Sequence, residues 1–189
     1  MKNAGLLTIG TLVAVSLAAL LFRVASSRAQ QTRLQSTKET ATVTTTDGKV
    51  YSRSGHDITP LDRGRVEQLA RDLSPEERRI LLGKGTERPF CGALLNNKKQ
   101  GTYTCRLCGL PLFGSGAKFK SGTGWPSYWA PIDQNSVTAL RDTSHGVMRT
   151  EVVCSRCDAH LGHVFEDGPP PTGLRYCINS AALKLVEKP

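Results

Sequence analysis

The chain has 189 residues, room for one ordinary domain plus additional segments, and 39% of them are hydrophobic, enough for a core. A formal net charge of +9 points first to an acidic partner such as nucleic acid. The distribution argues against that: residues 1–60 carry a net +4 and the other 129 a net +5, with both signs interspersed and no basic block. This describes a solvated surface, and no nucleic-acid partner is expected.

In chain order, Lys2 precedes an uncharged, mostly apolar run over residues 4–22, and Arg23 follows it. The run exceeds the roughly 7–15 residues of a signal-peptide core and approaches the ~20 that span a bilayer. Ser27 and Ala29 also set small residues at −3 and −1 before Gln30, a cleavage pattern. Residues 1–28 therefore read as a hydrophobic anchor or an export signal. Either makes the chain membrane-anchored or exported, in the cell envelope or periplasm if bacterial. Positive charge on both flanks leaves the orientation open.

Residues 29–58 are rich in Gln, Thr and Ser, and composition predicts a flexible linker. A helical arm is expected over 59–84. Thr59-Pro60-Leu61-Asp62 offers one helix start, Ser74-Pro75-Glu76-Glu77 a fuller capping box, and Gly83 a stop. From 85 to 189 short apolar or alternating runs are broken by Gly, Pro, Asn and Asp, and residues 103–105, 147–153, 174–178 and 181–186 read as strands. The fold class is mainly β, with short N-terminal helices.

Of six cysteines, four form two matched pairs, Cys105-Arg106-Leu107-Cys108 and Cys154-Ser155-Arg156-Cys157. Two residues between ligands let one tight turn aim both sulfurs at an ion, and two such turns complete a tetrahedron. Disulfides and separate redox sites are the alternatives. Four thiolate ligands would close the coordination sphere, making a zinc ion here structural.

Cys91 and Cys177 remain. In a strand, Arg175, Cys177 and Asn179 share one face; the arginine would favour the thiolate and the asparagine could hold a bound oxygen. A small buried cysteine beside a solvated arginine fits the same pattern. His160 and His163 follow the second cysteine turn and suit acid–base work beside a thiolate, or simple core packing. Gly122-Thr123-Gly124-Trp125-Pro126-Ser127-Tyr128 sets Trp125 and Tyr128 among turn formers, as core filler or as the wall of a pocket for a thioether-type group.

Together these segments resemble the methionine-R-sulfoxide reductases. The likeness runs through Gly85-Thr86-Glu87-Arg88-Pro89-Phe90, both cysteine pairs, Gly124-Trp125-Pro126-Ser127 and Arg149-Thr150-Glu151-Val152. It continues through His160-Leu161-Gly162-His163-Val164-Phe165, Asp167-Gly168-Pro169 and Gly173-Leu174-Arg175-Tyr176-Cys177-Ile178-Asn179-Ser180. The resemblance implies two antiparallel sheets with one structural zinc held by Cys105, Cys108, Cys154 and Cys157. It implies reduction of methionine (R)-S-oxide, protein-bound or free, in protein repair, with a thioredoxin-like reductant. It places the nucleophile on Cys177, with His160, His163, Asn179 and Arg175 beside it and Trp125 and Tyr128 on the substrate side. Many members carry a resolving cysteine at the position of Thr123; here the one spare cysteine, Cys91, stands where some members place theirs, so exclusion and resemblance together give it that role, with an external thiol as the alternative.

Overall fold

The computed structural model describes residues 43–44 and 47–188. A short ladder, β1 (Val43–Thr44) with β2 (Val50–Tyr51), comes first, followed by helices α1 (Arg63–Leu69) and α2 (Pro75–Leu81). The remaining strands are β3 (Gly101–Cys105), β4 (Pro111–Gly114), β5 (Lys118–Phe119), β6 (Ser127–Tyr128), β7 (Val137–Asp142), β8 (Arg149–Cys154), β9 (His160–Phe165), β10 (Arg175–Ile178) and β11 (Leu183–Glu187). They form a six-stranded sheet in the order β5-β6-β10-β9-β8-β7 and a three-stranded sheet in the order β11-β3-β4, with every pairing antiparallel.

Strand register assigns the two faces of the large sheet. Tyr128 pairs with Tyr176, and Tyr176 with Val164, so these side chains share a face. That face packs on the small sheet: the Tyr128 ring stacks on Phe113 with centroids 4.5 Å apart and meets Tyr103 edge-on at 5.2 Å. Leu112, Leu161, Val152 and Ile178 fill the same core. Each such buried side chain contributes about 1.5–3 kcal/mol. One residue out of step, Ser127 pairs with Cys177, Cys177 with His163 and His163 with Glu151, a row on the opposite face.

The helical arm is tied to the sheets. Ser74 and Glu77 close the capping box of α2, and Glu77 also pairs with Arg106 of the first cysteine turn at 2.5 Å. Ile80 and Leu81 are buried in the core. Helix α1 is capped by Asp62 instead of Thr59, because the Thr59 hydroxyl accepts from the Val50 N–H at 2.9 Å.

The compositional case for a linker over 29–58 underweighted two apolar residues. Val50 packs against the core and Ile58 is 6% exposed within it, while the Ser54 N–H donates to Asp133 at 2.7 Å. A second expectation is corrected. Among the described residues no helix is long and apolar enough to cross a membrane, so the membrane-anchored or exported assignment does not stand. The run over 4–22 that suggested it lies outside the described residues.

Candidate active site and metal centre

The two cysteine turns end strands of different sheets, Cys105 in β3 and Cys154 in β8. Each turn closes the same way: Gly109 N–H donates to Cys105 O and Asp158 N–H to Cys154 O, both at 2.9 Å. Gly109 (φ +76°) and Asp158 (φ +55°) are both left-handed, a conformation that favours glycine and tolerates aspartate. All six cysteines are free thiols. The four paired ones bring their sulfurs within 4.8 Å of one another, with Cys105–Cys157 at 3.7 Å and Cys108–Cys154 at 3.5 Å.

A disulfide needs about 2.05 Å, whereas sulfurs ~2.3 Å from one tetrahedral ion stand about 3.8 Å apart. The spacing fits a shared metal. Four thiols this close cannot all ionise without a counter-charge. Hydrogen bonding, chiefly with Cys105, holds Cys108 far below the usual thiol range and pushes Cys154 and Cys157 well above it. A bound dication would supply the missing charge.

Cys177 opens onto a cavity of about 120 Å³ whose lining includes Trp125, His163, Phe165 and Asn179. Four of the expected site residues therefore meet: Cys177, His163, Asn179 and Trp125. His160 is 2% exposed and stands beside His163, ring centroids 5.5 Å apart, without lining the cavity. Its Nδ1 lies 2.7 Å from Glu151 Oε1, while its Nε2 has no partner among the described residues. Burial lowers the His160 pKa, outweighing Glu151 beside it. The neutral ring then carries its proton on Nδ1, toward the carboxylate, leaving Nε2 as an acceptor. His163 Nε2 lies 2.7 Å from Asp142, which Arg149 also contacts at 2.8 Å.

The electrostatics at Cys177 differ from the sequence expectation. Burial pushes its thiol up, while the Thr123 hydroxyl, 3.9 Å from the sulfur, and Arg175 pull the other way. Arg175 is less effective than a lone cation. Its guanidinium makes a two-pronged pair with Asp167, both contacts at 2.8 Å, and lies 4.4 Å from the centre of the Phe165 ring. Thr123 belongs to a hydroxyl chain: its oxygen is 2.9 Å from Ser121, which is 2.7 Å from Ser127.

Asn179 lines the cavity with its amide mostly engaged. Its Oδ1 accepts from the Glu87 N–H at 3.0 Å and its Nδ2 donates to Leu161 O at 3.0 Å. Tyr128 is a correction. Alternation along β6 turns it into the core and turns Ser127 toward Cys177, so Tyr128 does not line the cavity. Cys91 is exposed and also outside the lining, yet its segment lies on the Thr123 turn: Phe90 N–H donates to Gly124 O at 2.8 Å.

Sequence reasoning assigned no part to Glu151, Asp142, Asp167 or Glu87. Glu151 holds His160 and pairs with Lys84 at 2.8 Å. Glu87 accepts from Ser180 N–H and Ala181 N–H just beyond β10, while its carbonyl accepts from Trp125 Nε1 at 3.1 Å. For Glu87, Glu151 and Asp167 the available signal was their place inside the motif segments; Asp142 lies in none of them.

Residues 73–187 match the SelR domain family, so the domain begins before residue 85 and takes in α2. Curated relatives include the peptide methionine sulfoxide reductase MsrB of Caulobacter vibrioides, 55% identical over 142 residues, 75% of this chain and 89% of that protein. The MsrB proteins of Xylella fastidiosa (58% over 130 residues, 69% and 84%) and Acinetobacter baylyi (60% over 115 residues, 61% and 83%) are similar in turn. With that extent of identity laid over the segments that build the Cys177 cavity and the four-cysteine cluster, the chain belongs to the methionine-R-sulfoxide reductase family.

Proposed function

We propose that this protein reduces methionine (R)-S-oxide to methionine in oxidised proteins, with Cys177 as the nucleophile. The observation that carries the reading is a free thiol opening on a small cavity walled by Trp125 and Phe165 and flanked by His163. Aromatic walls suit the methyl and sulfur groups of the substrate.

The Cys177 thiolate attacks the sulfoxide sulfur, and the oxygen takes up a proton as it transfers. The sulfoxide is reduced by two electrons to the thioether, and Cys177 becomes a sulfenic acid. His163 is the proton donor at the cavity wall. Buried, neutral His160 keeps Nε2 as a proton acceptor, and Glu151 at Nδ1 would stabilise the charged ring if that nitrogen takes up a proton. Asn179, fastened to Glu87 and Leu161, and Phe165, with the Asp167-bound Arg175 against its ring, keep the cavity wall rigid. Cys91 then condenses with the sulfenic acid, releasing water and forming a Cys91–Cys177 disulfide. A thioredoxin-like dithiol restores both thiols by exchange. The support for Cys91 is its exposure and its segment's seat against the Thr123 turn, where the oxygen of Thr123 occupies the near position.

In this reading Cys105, Cys108, Cys154 and Cys157 would hold a zinc ion, which would tie the two sheets together in a structural role.

The test is turnover of the separate R and S epimers with a small dithiol. The R epimer should be reduced and the S epimer left. Cys177→Ser should lose turnover by at least about a thousandfold with its fold and metal content intact, because an alcohol is a far poorer nucleophile than a thiolate at neutral pH. Residual activity near that of the parent would sink the assignment.

A further inference from the structure

A second cavity, of about 450 Å³, adjoins the first, and Trp125 lines both. Phe90 (69% exposed) and Phe119 give it apolar surface. Among the described residues, its charged lining consists of four lysines: Lys98, Lys99, Lys118 and Lys120. They are not equivalent. Lys118 is half-buried and spans the groove, donating to Leu95 O and Asn97 O at 2.8 Å each, which holds the wall in shape. Lys99 is paired with Glu187 at 2.6 Å. Lys98 and Lys120 are exposed and have no ion pair among the described residues.

The cavity at Cys177 has room for little more than one side chain, so the polypeptide bearing an oxidised methionine must lie on adjoining surface. We propose that this lysine-lined groove holds the chain beside the oxidised methionine and selects segments with Asp or Glu within a few residues of it. The inference rests on the reductase reading of Cys177 and adds a substrate class to it. A preformed groove costs little reorganisation on binding, and unpaired exposed cations with no acid among the lining give it a complementary field. The aromatic surface of Phe90 and Phe119 accepts the apolar parts of the same segment.

The test uses the full chain with dithiothreitol as reductant. The substrates are three peptides in which methionine (R)-S-oxide is flanked by Asp, Ser or Lys, plus free methionine (R)-S-oxide. The acidic peptide should have the lowest KM and the lysine peptide the highest, about two- to tenfold apart, the scale of two exposed charge pairs. The order should collapse near 1 M salt, where the screening length falls to about 3 Å. Lys98→Glu with Lys120→Glu should invert the order and leave kcat/KM for the free amino acid unchanged. Loss of preference with the free substrate slowed equally, or the same peptide order in the doubly substituted protein, would overturn the proposal. So would an effect confined to assays with a thioredoxin-type donor, which would make the groove the reductant's docking site. An unaltered protein that reduces none of the four substrates would bring down the reading of Cys177 itself.

Discussion

At the scale of the residue, the Cys177 thiol is a contest between burial and charge. Burial raises the Cys177 pKa, the Thr123 hydroxyl and Arg175 lower it, and Asp167 raises it through its own charge. The thiolate fraction, and with it the rate, therefore rises with pH until the thiol's raised titration point is passed. Asp167→Asn removes the negative charge and leaves Arg175 unneutralised, so the Cys177 pKa should fall. Alkylation of Cys177 by iodoacetamide, followed by mass spectrometry across pH, should speed up at neutral pH and reach its plateau at lower pH. An unchanged or higher titration point would remove the Asp167–Arg175 pair from the account of this thiol. The shared face of Arg175, Cys177 and Asn179 was legible in the sequence, because a strand alternates with period two. The carboxylates that hold Arg175, His160 and His163 were not. Asp142 and Glu151 come from β7 and β8, 21 and 9 residues before their histidines, and a linear pattern displays charges without saying which of them pair.

At the scale of the element, the strands richest in β-branched and aromatic residues were legible to within two residues, as in β3, β8, β10 and β11. Strand β9 was not, because His160-Leu161-Gly162-His163 carries a glycine and two histidines and reads as a knuckle after the cysteine turn. The glycine has a reason: a methyl on Gly162 would run into the carbonyl of Cys177. Gly162→Ala should force β9 from β10, cost about 1–3 kcal/mol in a denaturant melt and lower turnover alongside. A stable variant with full activity would show that the strands can separate freely. The segment bearing Cys91 was read from exclusion and resemblance, and packing gives it a mooring. Gly124 admits Pro89 and Phe90 so closely that a Cβ would meet both. Cys91→Ser should still reduce about one equivalent of sulfoxide in a single turnover, then stall with a thioredoxin-type donor, while a small thiol restores much of the rate. Peptide mapping of the parent protein after oxidation by one equivalent of substrate should find a Cys91–Cys177 disulfide. Sulfenic acid persisting on Cys177 with Cys91 reduced would remove Cys91 from the cycle.

At the scale of the whole molecule, matched cysteine pairs made the four-cysteine cluster legible, and alternation made the fold class legible. Which strand neighbours which was not, since β10 inserts between β6 and β9 by a pairing across many residues. The cluster matters most at this scale because Cys105 and Cys108 bracket a turn leaving the three-stranded sheet, and Cys154 and Cys157 one leaving the six-stranded sheet. A structural zinc in such a site is worth on the order of 10 kcal/mol at neutral pH, comparable with the ~5–15 kcal/mol by which a whole domain is stable. The capping box of α2 and the exposed ion pairs contribute about 1 kcal/mol or less each and cannot replace it. Cys105→Ser, or prolonged chelation, should therefore cause global unfolding or insolubility, with loss of the near-ultraviolet signal from Tyr103, Tyr128 and Tyr176 packed between the sheets. Metal content by elemental analysis should fall from about one zinc per chain to none in step with that signal, before any separate kinetic defect appears. A folded, metal-free Cys105→Ser protein with normal turnover would show that packing of the aromatic core alone holds the two sheets together.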